Sequence, residues 1–135
     1  MKPWISFLLL FWISISTGFG QKRVHILEIN GEITPAVARY CKDGIQEAHS
    51  QKAGLILLEL NTYGGYLESA DSIHRMLLNS KIPTAVWVQN NAASAGALIS
   101  LSCQKIYMAP AAKIGAATVV IGNTGKAAPD KFQSY

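Results

Sequence analysis

Apolar positions along this chain follow two alternating periods. Val24 to Ile29 reads as a first strand, turned by Asn30-Gly31. After Thr34-Pro35, Val37, Tyr40, Cys41, Ile45 and Ala48 recur at helical spacing and leave Arg39, Lys42, Asp43 and Glu47 outward. Threonine suits the N-cap, and proline suits the first helical position, where no N–H is required. Leu55 to Leu60, after Gly54, is a nearly continuous apolar run, the pattern of a parallel strand buried on both faces. Leu67, Ala70, Ile73 and Leu77 predict the inner face of a second helix, and Ser80 to Pro83 leads into a third strand, Thr84 to Val88. The small and apolar run Ala97 to Leu101 predicts a buried helix. A short strand, Lys105 to Met108, and an extended segment opening at Ile114 to Ala117 follow it. Gly122 to Gly125 reads as a polar turn and Pro129-Asp130-Lys131 as the first turn of another helix, which the chain is expected to leave incomplete at Tyr135.

Strands beginning near residues 24, 54 and 84 are spaced as βαβ units are, at about 30 residues each. The expectation is therefore an α/β domain of stacked βαβ units. The segments differ in sequence, so the period is structural and not a repeat. The 135 residues suffice for one domain, and half of them are hydrophobic, enough for a core.

The N-terminus differs from the rest of the chain. Met1-Lys2, the apolar stretch Trp4 to Ile15 and the small residues around Gly18-Phe19-Gly20 read as a signal peptide over residues 1–20. The stretch is short for a spanning helix, which needs about 20 apolar residues, and an uncleaved anchor is the alternative reading. A mature domain, 21–135, is expected outside the cytoplasm. The net charge of +4 comes from scattered lysines and arginines, without the basic runs that a nucleic-acid partner would call for. An oxidising compartment permits a disulfide between Cys41 and Cys103, but they lack a spacing motif, and two small buried residues are the favoured reading. His25, His49 and His74 lie far apart with no cluster beside them, so neither metal nor cofactor is expected.

The candidate chemistry lies at two strand-to-helix turns. Asn91-Ala92-Ala93-Ser94-Ala95-Gly96 places a serine hydroxyl at a bend, beside the free N–H groups of a helix start. Asn61-Thr62-Tyr63-Gly64-Gly65 supplies a second set of unhindered N–H groups. A nucleophile, Ser94, and an oxyanion hole from Ala95 and from Gly65 or Gly64 are the parts of an acyl-transfer site. No histidine suggests a triad: His25 is on the first strand, His49 at a helix end, and His74 reads as a solvated surface residue. Lys105, Lys113, Lys126 and Lys131 follow Ser94 and could serve as base only if burial depressed their pKa.

Three blocks together, Asn61 to Gly65, Ala92 to Gly96, and Lys105 to Pro110 through Ile114 to Ala117, resemble the membrane-bound, ClpP-class serine proteases, in particular the N-terminal protease domain of the NfeD family. The resemblance covers roughly Val24 to Thr118. It implies a ClpP/crotonase-like fold and a serine peptidase with a Ser–Lys dyad, Ser94 matching the nucleophile and Gly64, Gly65 and Ala95 the oxyanion-hole region. It also implies a homo-oligomer and a stomatin-like membrane protein as substrate or partner, its apolar segments being cleaved. Two departures stand out. Tyr63 occupies a position that carries proline in the family. The family's lysine lies on the helix that begins here near Pro129, and its match falls beyond Tyr135, which leaves Lys131 as the nearest candidate in the chain. Two alternatives remain: a non-catalytic assembly module of the same fold, favoured by the incomplete helix, and a crotonase-type acyl-CoA enzyme, disfavoured by the signal-like N-terminus.

Overall fold

The computed structural model describes residues 22–116. The signal-peptide segment, the turn at 122–125, Lys126 and Lys131 lie outside the described residues. Five strands and three helices alternate: β1 (Val24–Asn30), α1 (Pro35–Ser50), β2 (Leu55–Thr62), α2 (Leu67–Leu78), β3 (Thr84–Ala93), α3 (Ala95–Leu101), β4 (Lys105–Met108) and β5 (Lys113–Gly115). All pairings are parallel, in the order β1-β2-β3-β4, with β5 on the far half of β3. The expected α/β architecture is present, with strand beginnings where the apolar pattern put them.

One sheet face carries the core. Leu27, Ile29, Ile56, Leu58, Leu60, Val86 and Val88 cluster with Cys41, Ile45 and Ala48 of α1, Ala70, Ile73 and Leu77 of α2, and Ile99 of α3. The reading of β2 as buried on both faces is corrected here. Its residues alternate, with Ile56, Leu58, Leu60 and Thr62 buried and Leu55, Leu57, Glu59 and Asn61 only half-buried. Beside them, Val24 and Ile26 of β1 are exposed. The leucines on both faces hid an ordinary period of two.

Helix α1 starts as expected: the Thr34 hydroxyl accepts from the Val37 N–H at 3.3 Å, with Pro35 leading the first turn. Two inward assignments fail. Leu67 is exposed at the start of α2. Tyr40 is also exposed, and its hydroxyl reaches the outer edge of β1 to accept from the Glu28 N–H at 3.2 Å. β1 lies at the end of the sheet, so the phenol occupies a donor that the ladder leaves free.

Cys41 and Cys103 are buried and unbonded to each other. Burial pushes the Cys41 thiol up to about 12 and that of Cys103 to about 11, the latter moderated by a hydrogen bond with Thr84. Both thiols therefore stay protonated below about pH 9, and each opposes folding as pH rises from the unfolded thiol value towards its folded one. Native protein at pH 8 is expected to react with a disulfide reagent far more slowly than denatured protein. Fast stoichiometric labelling of the native fold would contradict this burial.

β3 runs five residues past the expected end at Val88. Between Leu60↔Val88 and Thr62↔Ala92 the register shifts, so β3 carries extra residues against β2. Beyond the irregularity, Asn91, Ala92 and Ala93 pair with Lys113, Ile114 and Gly115 of β5. An isolated parallel bridge forms where Ile33, fully buried, meets Gly65. Both features lie at the C-terminal ends of the strands, where open α/β sheets place their sites.

Candidate active site

Ser94 joins β3 to α3 with no intervening loop. Its backbone stands at φ 52, ψ −114, a conformation that L-residues rarely adopt. Such a residue costs about 1–3 kcal/mol and persists only where its surroundings hold it. The grip is visible: the Ser94 N–H donates to Gly115 O of β5 at 2.8 Å, and the Ser94 carbonyl accepts from the Ala97 N–H at 2.9 Å. The side chain is half-buried, and its hydroxyl has no hydrogen-bond partner among the described residues. The N–H groups of Ala95 and Gly96, in the first turn of α3, likewise find no acceptor there.

Facing it is the turn from β2 into α2. A Cβ at Gly64 would lie 2.8 Å from Ser94 Cβ and 3.2 Å from Ser94 Oγ. Only a residue without a side chain fits against the serine there, and φ at Gly64 is +117. Gly65 is a glycine for a different reason. Its Cβ would run into the backbone of Ile33, 2.6 Å from the nitrogen and closer still to the oxygen. That backbone is fixed, because the Ile33 N–H donates to Gly64 O and the Tyr66 N–H donates to Ile33 O, both at 2.9 Å.

The two glycine N–H groups differ in availability. The Gly64 N–H is buried and donates to Thr62 Oγ1 at 3.0 Å. Gly65 is exposed, and its N–H has no acceptor among the described residues. The open donors beside Ser94 Oγ are thus those of Gly65 and of the first turn of α3. The ends of the strands are also tied side to side. Asn61 Oδ1 accepts from the Asn91 N–H at 3.3 Å, and Asn61 Nδ2 donates to Asn30 Oδ1 at 3.1 Å. Asn61 thereby occupies a backbone donor that the register shift takes out of the ladder.

Of the residues singled out in the sequence, Ser94, Gly64, Gly65 and Ala95 come together, and Lys131 lies outside the described residues. Lys105 and Lys113 are exposed. His25 is on β1 and His49 in the last turn of α1, as expected. The reading of His74 as a solvated surface residue is corrected. It is half-buried, with Nδ1 2.6 Å from Ser102 Oγ. Ser102 Oγ already donates to Leu98 O at 2.7 Å, so the imidazole is the donor and the pair joins α2 to the end of α3. Thr62, Ile33 and Gly115 are the site residues that sequence reasoning missed. Thr62 alone left a signal, since the period of two along β2 turns it to the buried face with Leu58 and Leu60.

Residues 23–135 match the family model described as NfeD1b, N-terminal domain. Membrane protein NfeD1b of Bacillus subtilis is 34% identical over 96% of the chain, which spans 30% of that protein. Membrane-bound protease PH1510 of Pyrococcus horikoshii is 30% identical over 97% of the chain, which spans 31% of it. The chain thus covers about a third of the curated relatives it matches. A solved serine-to-alanine mutant of the 1510-N membrane-bound stomatin-specific protease aligns with a TM-score of 0.77 and 32% identity, over 84% of this chain and 58% of that one. A lysine-to-alanine mutant of 1510-N in complex with a substrate peptide aligns with the same score and identity, over 55% of its own length. ClpP1 from Listeria monocytogenes aligns with a TM-score of 0.57 and 29% identity, over 58% of this chain and 46% of that one. The sheet and its helices are therefore of the ClpP-like type, and the chain belongs to the NfeD1b N-terminal domain family.

Proposed function

We propose that this domain is the protease part of a serine endopeptidase, with Ser94 as nucleophile and the Gly65 and Ala95 N–H groups as its oxyanion hole. The observation that carries this reading is the strained Ser94, at φ 52, with a free hydroxyl next to two unoccupied donors. Strain of this kind is kept where function uses it. A crotonase-type enzyme would use the donors alone and would have no need of a serine held in this conformation.

A lysine serves as base in this reading, and Lys131 is the candidate within the chain. The solved 1510-N proteins, altered at a serine in one case and a lysine in the other, support a dyad of these two residue types. The substrate class proposed is an apolar segment of a stomatin-like membrane protein, by analogy with the specificity named for 1510-N. The working unit is taken as a homo-oligomer on the extracytoplasmic side of the membrane, with residues 1–20 acting as the export signal. N-terminal sequencing of the exported protein is expected to begin near Gln21, and recovery of the whole chain in the cytoplasmic fraction would defeat the export reading.

The direct test is labelling with a serine-reactive fluorophosphonate. On the full-length protein the adduct is expected on the peptide that contains Ser94. A folded protein that leaves this peptide unlabelled while reacting elsewhere overturns the assignment.

A further inference from the structure

We infer that Thr62 is a positioning residue for the proposed reaction: it aims the Gly65 N–H at the reacting carbonyl oxygen and sets its distance from the nucleophile helix. This rests on the serine-peptidase reading of Ser94 and the oxyanion hole. Thr62 is 1% exposed, and both ends of its side chain are engaged. The hydroxyl accepts from the Gly64 N–H at 3.0 Å and donates to Gly64 O at 3.3 Å. The methyl lies against α3, where a Cβ at Gly96 would be 2.5 Å from Thr62 Cγ2. In the ladder Thr62 pairs with Ala92, two residues before Ser94.

The aiming follows from peptide geometry. Gly64 C=O and Gly65 N–H belong to one planar unit and, in a trans peptide, point in opposite directions. The carbonyl end is held by two donors, the Ile33 N–H at 2.9 Å and the Thr62 hydroxyl. With that end fixed, the N–H end has one direction, away from Ile33 and Thr62. The hydroxyl also occupies the Gly64 N–H, so this group does not turn outward to compete for the oxyanion. Because the Thr62 methyl touches Gly96, one residue beyond Ala95, a single side chain spaces both proposed donors. An oxyanion donor works only at about 2.7–3.1 Å from the oxygen in the transition state, and a misplacement of about 1 Å costs on the order of 10²-fold.

The test is a pair of substitutions in the full-length protein, with Ser94→Ala assayed beside them. Thr62→Val keeps the shape and the methyl but removes the hydroxyl. It is expected to lower kcat by about 10- to 100-fold, with KM within about two-fold. Thr62→Ser keeps the hydroxyl and is expected to hold kcat within about five-fold of the unaltered protein. If Ser94→Ala is inactive while Thr62→Val turns over normally, the role assigned to Thr62 is wrong and the peptidase reading stands. Equal losses in the valine and serine variants also overturn it, since any change at this buried position would then have the same effect and the hydroxyl would have no role of its own. If Ser94→Ala is fully active, the peptidase reading itself fails. Amide exchange in the unaltered protein supplies a measurement independent of any variant's folding. The Gly64 amide is expected to be protected and that of Gly65 to exchange quickly, and the reverse order would overturn the inference.

Discussion

Replacing Ser94 with alanine is expected to reduce peptidase turnover by on the order of 10⁶-fold, the scale observed when a serine protease loses its nucleophile. The loss should be chemical and not structural. Alanine at φ 52 is as strained as serine, and the removed hydroxyl has no hydrogen-bond partner among the described residues. The melting temperature should therefore barely move. Ser94→Gly separates the two roles of this position. Glycine adopts positive φ without penalty, so this variant is expected to be as inactive as the alanine one, yet equal or higher in stability by up to about 1 kcal/mol. A stability–activity trade-off at one residue is what a strained functional site predicts. Thermal melts and peptidase kinetics on the three proteins decide both points. Unchanged turnover in the alanine variant removes the nucleophile assignment, and a clear drop in the melting temperature of the glycine variant removes the strain argument.

The strands and helices were legible because each has an apolar face with its own period. The turn signals at Asn30-Gly31, Thr34-Pro35 and Gly54 lie where one period gives way to the next. Legibility failed where a partner distant in sequence decides the outcome. Gln89, Asn90 and Asn91 look like the end of a strand, being polar and weak in β propensity. The chain stays extended there because β5, some twenty residues later, pairs with Asn91 to Ala93, and because Asn61 takes the Asn91 N–H. β2 misled in the other direction. Its half-exposed face is largely apolar, so composition masked the alternation that burial makes plain. The pattern of its own helix places His74 at the surface, whereas its partner Ser102 is 28 residues away.

The candidate site shows the same division. Ser94, Ala95 and the two glycines stand out because two strand-to-helix turns in one chain offer a hydroxyl and free backbone N–H groups together. What the sequence left open was which glycine offers its N–H. That choice belongs to Thr62 and Ile33, one acting through its hydroxyl and the other through a backbone bridge from the loop after β1. Tertiary pairing of this kind leaves no local pattern to read.

The second large effect is expected at Gly65. A side chain there meets backbone, with Ile33 N at 2.6 Å and Ile33 C at 2.8 Å from the added Cβ. Backbone in a bridge cannot swing aside as a flexible side chain can. Relief requires breaking the Ile33 N–H bond to Gly64 O or the Tyr66 N–H bond to Ile33 O. Either break releases the peptide plane that carries the Gly65 N–H, so the donor leaves its position even if the chain folds. Gly65→Val is expected to cost about 10²–10³-fold in turnover, as removal of one oxyanion donor does, with a smaller change in KM. Tyr63→Pro is the matched control, two residues away. Tyr63 is 79% exposed, and its N–H serves no hydrogen bond among the described residues. Proline asks the residue before it to be extended, and Thr62 already is, as the last residue of β2. Turnover of the proline variant is expected to stay within about three-fold. Kinetics of both variants, with circular dichroism to show that each is folded, decide the matter. A valine variant with normal turnover, or a proline variant that is folded and dead, would show that this loop does not hold the oxyanion.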